Sequence, residues 1–252
     1  MATPGYDWTW DDVISMAKKV HNPSGDVYGL RLPAITLLRD DASVREIPWV
    51  KEGKPNWTSS EMMGLAKWWE DNVLPMSPPV FKANPWLAGE VAFSETGVAR
   101  ALAPAEIGFD WVVRPWPKPT RNSQSLGMNL TNTLLVNAAS KNKDEAADVL
   151  RYFTSDEGYF IFADKGLVAP FGATGRALDL VLAPLDGAPY DSIAKTILHA
   201  ERNVSSPIED WTFEVFNIIV QNREAVDAGE LKIADLLELL QSEHEDILAK
   251  MK

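Results

Sequence analysis

The chain has 252 residues, 46% hydrophobic and 24% charged, with a net charge of −12, ten tryptophans and no cysteine. That length holds one or two globular domains. The acidity and the lack of any Lys/Arg cluster exclude a nucleic-acid footprint and disfavour an anionic membrane surface. Without cysteine there is no disulfide, thiolate metal site or thiol nucleophile, and no stretch approaches the ~20 apolar residues of a spanning helix.

In chain order, Thr9 followed by Asp12 reads as a capping box opening a helix whose buried stripe is Val13, Met16, Ala17 and Val20. Trp8 and Trp10 read as packing at that helix start. Asn22-Pro23-Ser24-Gly25 ends the helix, and Val27-Tyr28-Gly29-Leu30 begins a strand. Residues 31–60 are the least periodic, with polar turns at Arg39-Asp40-Asp41 and at 51–56. Ser59 and its neighbours cap a helix that buries Met62, Leu65, Ala66, Trp69 and Val73 and ends at Pro75, Pro78 and Pro79. Gly89 to Phe93 leads through Ser94-Glu95-Thr96-Gly97 into a further helix. Phe109 to Val113 reads as a strand with a proline-rich exit at Pro115 and Pro117.

The stretch 126–158 reads as a strand through Leu134-Leu135-Val136, then cap chemistry at Ser140 or Asn142. A helix follows with an apolar stripe of Ala146, Val149, Leu150 and Phe153. Ser155-Asp156-Glu157 opens another helix, for which Gly166 is the stop. Residues 177–252 read as helices, the last strongly periodic through Ile233, Leu236, Leu237 and Leu240.

No HExxH, GxSxG or phosphate-loop pattern occurs. His21, His199 and His244 are far apart, and Glu243-His244-Glu245 reads as a solvated helix face. Asp11-Asp12 is explained by capping and Asp40-Asp41 by a turn. No catalytic residue, metal ligand or cofactor is expected.

The wording of several segments is more specific than their physics. Asn137 to Gly158 (NAASKNKDEAADVLRYFTSDEG), Asp7 to Leu30 (DWTWDDVISMAKKV…GDVYGL), the Phe93…Gly97 turn and Val168-Ala169-Pro170-Phe171 resemble bacterial extracellular solute-binding proteins of family 1, which serve ABC importers and mostly handle sugars. The resemblance covers nearly all of this sequence but only the later part of the family pattern. It implies an α/β, periplasmic-binding-protein-like fold of type II, with the second lobe largely complete and the first mostly missing. The expected domains are a second-lobe α/β segment at 1–128, a remnant of the first lobe at 129–176, and C-terminal helices returning to the second lobe at 177–252.

The function so implied is capture of a sugar or oligosaccharide in a cleft between lobes, for permease subunits of an ABC importer, with no catalysis. The implied ligand-binding residues are Trp211 as a ring platform, Arg31 after the first strand, Glu95, Thr96 and Gly97 at the strand-to-helix turn, and Asn129 and Thr131. The chain departs from the family where Val98 and Ala99 replace an aromatic, and where Asn129-Leu130-Thr131-Asn132 replaces a glycine pair. The location implied is periplasmic or extracellular. Met1 to Asp7 has neither the basic nor the apolar region of a signal peptide, so a piece of a longer protein, a truncated gene product or an internal protein is expected. A second copy or a separately encoded first lobe would complete the fold. The alternatives are an interaction module without transport, and a glycoside hydrolase, whose paired acids any two carboxylates at a suitable separation can supply.

Overall fold

Thr9 opens the first helix as its spacing to Asp12 predicts. In the computed structural model the Thr9 hydroxyl accepts from the Asp12 amide at 3.4 Å, and the Asp12 carboxylate accepts from the Thr9 amide at 2.8 Å. The structure describes residues 3–78, 85–95, 108–129, 136–164, 202–205 and 209–251, with Ser192, Lys195, Thr196 and His199. Contacts divide the chain into two units. The first comprises Met1–Glu95, Trp116–Asn129 and Ala200–Lys252; the second comprises Thr96–Pro115 and Leu130–His199.

In the first unit, α1 (Trp10–Val20) buries Trp10, Val13, Ile14 and Ala17. Strand β1 (Tyr28–Arg31) lies directly against it. A Cβ on Gly29 would stand 2.8 Å from the Ala17 carbonyl oxygen, so only glycine permits this approach. Residues 34–44 form a second helical run, α2. Its core, Leu37–Asp41, is wound as a π-helix between α-helical turns at Ala34–Thr36 and Ala42–Val44. This corrects the reading of a turn at Asp40-Asp41. The wider π winding breaks the 3.6-residue period, so the buried Leu37, Leu38, Ala42 and Val44 never line up as one stripe in the sequence.

Strands β2 (Val50–Lys51) and β3 (Lys54–Pro55) form a hairpin. Glu52 at φ 54° and Gly53 at φ 73° make the two-residue, doubly positive turn between them. Ser59 then caps α3 (Ser60–Asn72), accepting from the Met62 amide at 3.3 Å. Met62, Leu65, Ala66, Trp69 and Val73 are all buried, as expected. Strand β4 (Val91–Ser94) pairs parallel with β1, Tyr28 against Val91 and Arg31 against Ser94, which brings both carboxyl ends to one edge.

Strand β5 (Leu126–Asn129) pairs parallel with β6 (Arg202–Ser205), where the sequence had read helix. The unit closes with α6 (Thr212–Asp227) and α7 (Ile233–Lys250). Helix α7 buries Ile233, Leu236, Leu237, Leu240 and Ile247 on one stripe against α3 and α6. His244 falls on the same stripe and is 0% exposed, which overturns its reading as part of a solvated face. The acids beside it point outward, and their charge had masked the period.

The tryptophans are mostly core. Trp10 meets Trp68, Trp69 and Trp116 edge-on at 5.3, 5.7 and 5.6 Å between centroids.

In the second unit, α4 (Lys143–Phe153) and α5 (Asp156–Asp164) form a helical hairpin. Asn142 stands at the N-cap of α4 without a side-chain bond, and Ser140 instead accepts from the Asn142 amide at 3.1 Å. Ser155 accepts from the Gly158 amide at 3.2 Å, the expected cap of α5. The segment from Phe109 to Val113 is not a paired strand among the described residues. Val113 instead donates its amide to the Ser192 hydroxyl at 2.9 Å and accepts at its carbonyl from Thr196 at 3.1 Å. Val136 is not in a strand either; Leu134, Leu135, Gly166 and 168–171 lie outside the described residues.

Candidate ligand-binding site

The carboxyl edge of β1 and β4 gathers several polar side chains of the first unit. In open α/β folds, strand carboxyl ends are where ligands bind, because loops leave there with free backbone groups. Two expected site residues, Arg31 at the end of β1 and Glu95 just past β4, meet at this edge. The Thr36 hydroxyl donates to Glu95 Oε2 at 2.5 Å. The π turn of α2 adds Arg39 and Asp40, paired side by side with Arg39 Nη2 to Asp40 Oδ2 at 2.7 Å. From the last turn of α6, Asp227 accepts from the Ala34 amide at 2.9 Å.

The electrostatics follow from burial. Desolvation raises the carboxyl groups of Asp40 and Glu95 above the usual range, against the Arg39 bond to Asp40 and the Thr36 bond to Glu95. Burial likewise pushes Asp227 to about 6, although the Ala34 amide and the charges of Arg31 and Arg223 favour its ionised form. A pKa raised above the unfolded value favours the protonated fold. That contribution is complete below about pH 4 and is lost as pH rises through about 6. Asp227→Asn keeps an acceptor for Ala34 and removes the charge. The variant is expected to gain on the order of 1–2 kcal/mol over the parent at pH 8 and little at pH 4.5, read from urea unfolding at both pH values.

Arg31 and Asp227 also line a small pocket with Leu32, Pro33, Leu74, Ser77 and Pro78. Its volume of about 20 Å³ admits roughly one water. A more open cavity of about 260 Å³ lies between Trp8, Asp7, Asp12, Met16 and Arg121 near the start of α1. There Arg121 bonds Asp12 at 2.8 Å and Lys118 bonds Asp7 at 2.7 Å.

Trp211 is not with the polar edge. It is 8% exposed, and its ring lies 4.3 Å from His244 and 6.5 Å from Trp49, inside the core. Asn129 is the last residue of β5, its side chain outside the described set, and Thr96, Gly97 and Thr131 lie outside the described residues. Thr36, Arg39, Asp40, Asp227 and Arg223 were missed as site residues. The one local signal was the buried-helix potential of 34–44, hidden by the π turn; Asp227 is distant in sequence from its neighbours.

Among the described residues no group of three or more His, Asp or Glu side chains is placed to hold a metal ion, and no helix is long and apolar enough to cross a membrane.

The sequence matches no family model and no curated protein. The fold has clear counterparts among solved structures. An ABC substrate-binding protein from Listeria monocytogenes in complex with cycloalternan matches with a TM-score of 0.73 at 16% identity, over 99% of this chain and 66% of that one. The maltose/maltodextrin-binding domain of Bdellovibrio bacteriovorus bound to maltotriose gives 0.68 at 17% identity, over 99% and 68%. A cyclo/maltodextrin-binding protein complexed with maltotetraose gives 0.60 at 19% identity, over 97% and 66%. The chain thus spans about two thirds of the length of the structures it matches, and over that span it is an α/β protein of the periplasmic-binding-protein-like fold.

Proposed function

We propose that this chain belongs to the solute-binding component of an ABC importer and captures a sugar or oligosaccharide. The observation that carries the reading is the polar edge formed by Arg31, Thr36, Asp40, Glu95 and Asp227 at the ends of β1 and β4, in a fold whose counterparts include proteins holding cycloalternan, maltotriose and maltotetraose. Guanidinium, carboxylate and hydroxyl groups at one edge supply the donors and acceptors that sugar hydroxyls need.

The proposed contacts are Arg31 and Glu95, joined by Thr96, Gly97, Asn129 and Thr131; Trp211, packed in the core against His244 and Trp49, is dropped as a ring platform. We assign residues 1–128 and 177–252 to one lobe and 129–176 to the remnant of the other, whereas contacts group Thr96–Pro115 and the stretch up to His199 with the latter. Permease subunits are the expected protein partners and the periplasm or cell exterior the expected location. A first lobe comes from outside these residues or from a second copy. The chemistry is binding without turnover: the counterparts named above are binding proteins.

Isothermal titration with maltotriose, maltotetraose, cycloalternan and common monosaccharides tests the reading. At least one is expected to bind with heat and without released product, and Arg31→Ala is expected to weaken it at least tenfold, about 1.4 kcal/mol. Product release would make the chain a hydrolase. Silence across the panel, with the fold intact, would favour the interaction module.

A further inference from the structure

The open cavity at the start of α1 shares no lining residue with the polar strand edge. Asp7, Trp8, Asp12, Met16 and Arg121 line its volume of about 260 Å³. At about 30 Å³ per water in the liquid, that is room for several waters. It falls just below the roughly 300–1,000 Å³ of pockets for drug-sized ligands, a size that suits a single ring.

Local bonding builds the walls. Thr9 bridges to Lys118; the Lys118 amide donates to the Trp8 carbonyl at 3.0 Å, and the Trp10 amide donates to the Lys118 carbonyl at 3.2 Å. This join holds Trp8 beside the loop that carries Arg121, which is closed by the Ser123 amide donating to the Thr120 carbonyl at 3.1 Å. Arg121 reaches back from that loop. Its Nη1 donates to the Asp7 carbonyl at 3.1 Å and its Nη2 to Asp12 Oδ1 at 2.8 Å. The half-buried Trp8 ring lies 5.9 Å from Phe93 of β4, which backs it from the sheet.

The charges around the cavity are already matched, Arg121 with Asp12 and Lys118 with Asp7. The Thr9 amide, above all, holds the Asp12 carboxyl below the usual range, so it remains an acceptor at neutral pH. An ionic ligand would have to break one of these pairs. A neutral one need not. Arg121 commits two of its five N–H groups, which leaves three to donate. Carboxylate oxygens accept from hydroxyls, and an indole and a thioether offer apolar surface. Hydroxyls around an apolar ring face are the chemistry of a neutral sugar ring.

We propose that the cavity lined by Trp8, Asp12, Met16 and Arg121 is a second binding site, which takes one neutral monosaccharide ring. The ring lies against the Trp8 indole, its hydroxyls accepting from Arg121 and donating to the Asp7 and Asp12 carboxylates. The proposal goes beyond the reading of the strand edge and does not depend on it.

The probes are the methyl glycosides of glucose, mannose and galactose, titrated into the full chain. The readout is the indole N–H resonance of Trp8, assigned with Trp8→Phe. At least one glycoside is expected to shift that resonance saturably. Arg121→Ala is expected to weaken it at least fivefold and to leave the thermal melt unchanged, because an exposed ion pair adds little stability. Glucosamine and glucuronate, which add a charge to the same ring, are expected to bind at least fivefold more weakly. No saturable shift with any glycoside, an affinity unchanged in Arg121→Ala, or tighter binding of a charged analogue would each overturn the proposal. So would a Trp8 response that vanishes in Arg31→Ala, since it would then report on the strand edge. The reading of that edge fails separately, when Arg31→Ala leaves the heat of oligosaccharide binding unchanged.

Discussion

Asp41→Ala is expected to destabilise the first unit by about 3–5 kcal/mol, the range for breaking a buried ion pair from one side. The carboxylate is fully buried. Its Oδ1 accepts from the indole N–H groups of Trp10 at 2.8 Å and Trp116 at 3.4 Å, and its Oδ2 accepts from Arg45 Nε at 2.9 Å. Arg45 in turn lies 5.0 Å over the ring of Trp68. One residue thus ties α1, α2 and the Trp116 segment to a cluster of four indoles. Burial pushes its carboxyl up, against the opposing pull of Arg45 and the two indole donors. Alanine leaves the buried Trp10 N–H without an acceptor and the Arg45 charge without its partner. Asp41→Asn retains an oxygen for Trp10 and is expected to lose only about 1–2 kcal/mol. Denaturant unfolding followed by tryptophan fluorescence separates the two. Equal losses from alanine and asparagine would mean that charge alone matters; negligible losses would mean that the network adds nothing.

Trp57→Ala is the second large effect, also about 3–5 kcal/mol, through the cavity left by a fully buried indole. The ring lies 5.0 Å from Trp49 and donates from Nε1 to His244 Nδ1 at 3.1 Å. Trp57 also receives α7 through its backbone amide, which donates to Gln241 at 3.0 Å. Because Nδ1 is an acceptor, the proton of neutral His244 sits on Nε2, which has no hydrogen-bond partner among the described residues. Burial lowers the pKa of this ring to about 4. A depressed histidine pKa stabilises the fold above about pH 6.5, and that stability is lost as pH falls towards 4. The cavity in Trp57→Ala admits water, so the His244 pKa is expected to return towards 6.5 and the loss on acidification to shrink. Histidine chemical shifts against pH, with unfolding at pH 5 and 7.5, check both. Trp57→Phe fills most of the space and should lose about 1–2 kcal/mol, chiefly the hydrogen bond.

These two sites show why parts of the molecule were readable and parts were not. The capping box at Thr9 and Asp12, the Ser59 cap and the α3 stripe follow from signals within a few residues, and the structure has them where the spacing puts them. So do the α7 stripe and the α4–α5 hairpin. The π turn at Leu37–Asp41 was hidden because it changes the period that reveals a helix. Strand β6 was hidden because a parallel strand of four residues is defined by its distant partner. At the candidate site, Arg31 and Glu95 could be picked out, since they lie at a strand end and in a strand-to-helix turn. Their companions Thr36, Asp40 and Asp227 could not.

From the sequence alone follow the helix starts, most of the buried stripes, and the lack of thiol chemistry or a basic footprint, while the α/β class came only through the family resemblance. The former are properties of composition and of residues within one or two turns of each other. Tertiary structure alone decided that Asp41 is a buried anchor, that His244 is a neutral core ring, and that Asp227 closes the polar edge. Their bonding partners stand 31, 187 and 193 residues away along the chain. Burial, which sets the charge and acidity of all three, arises only when those distant segments pack together.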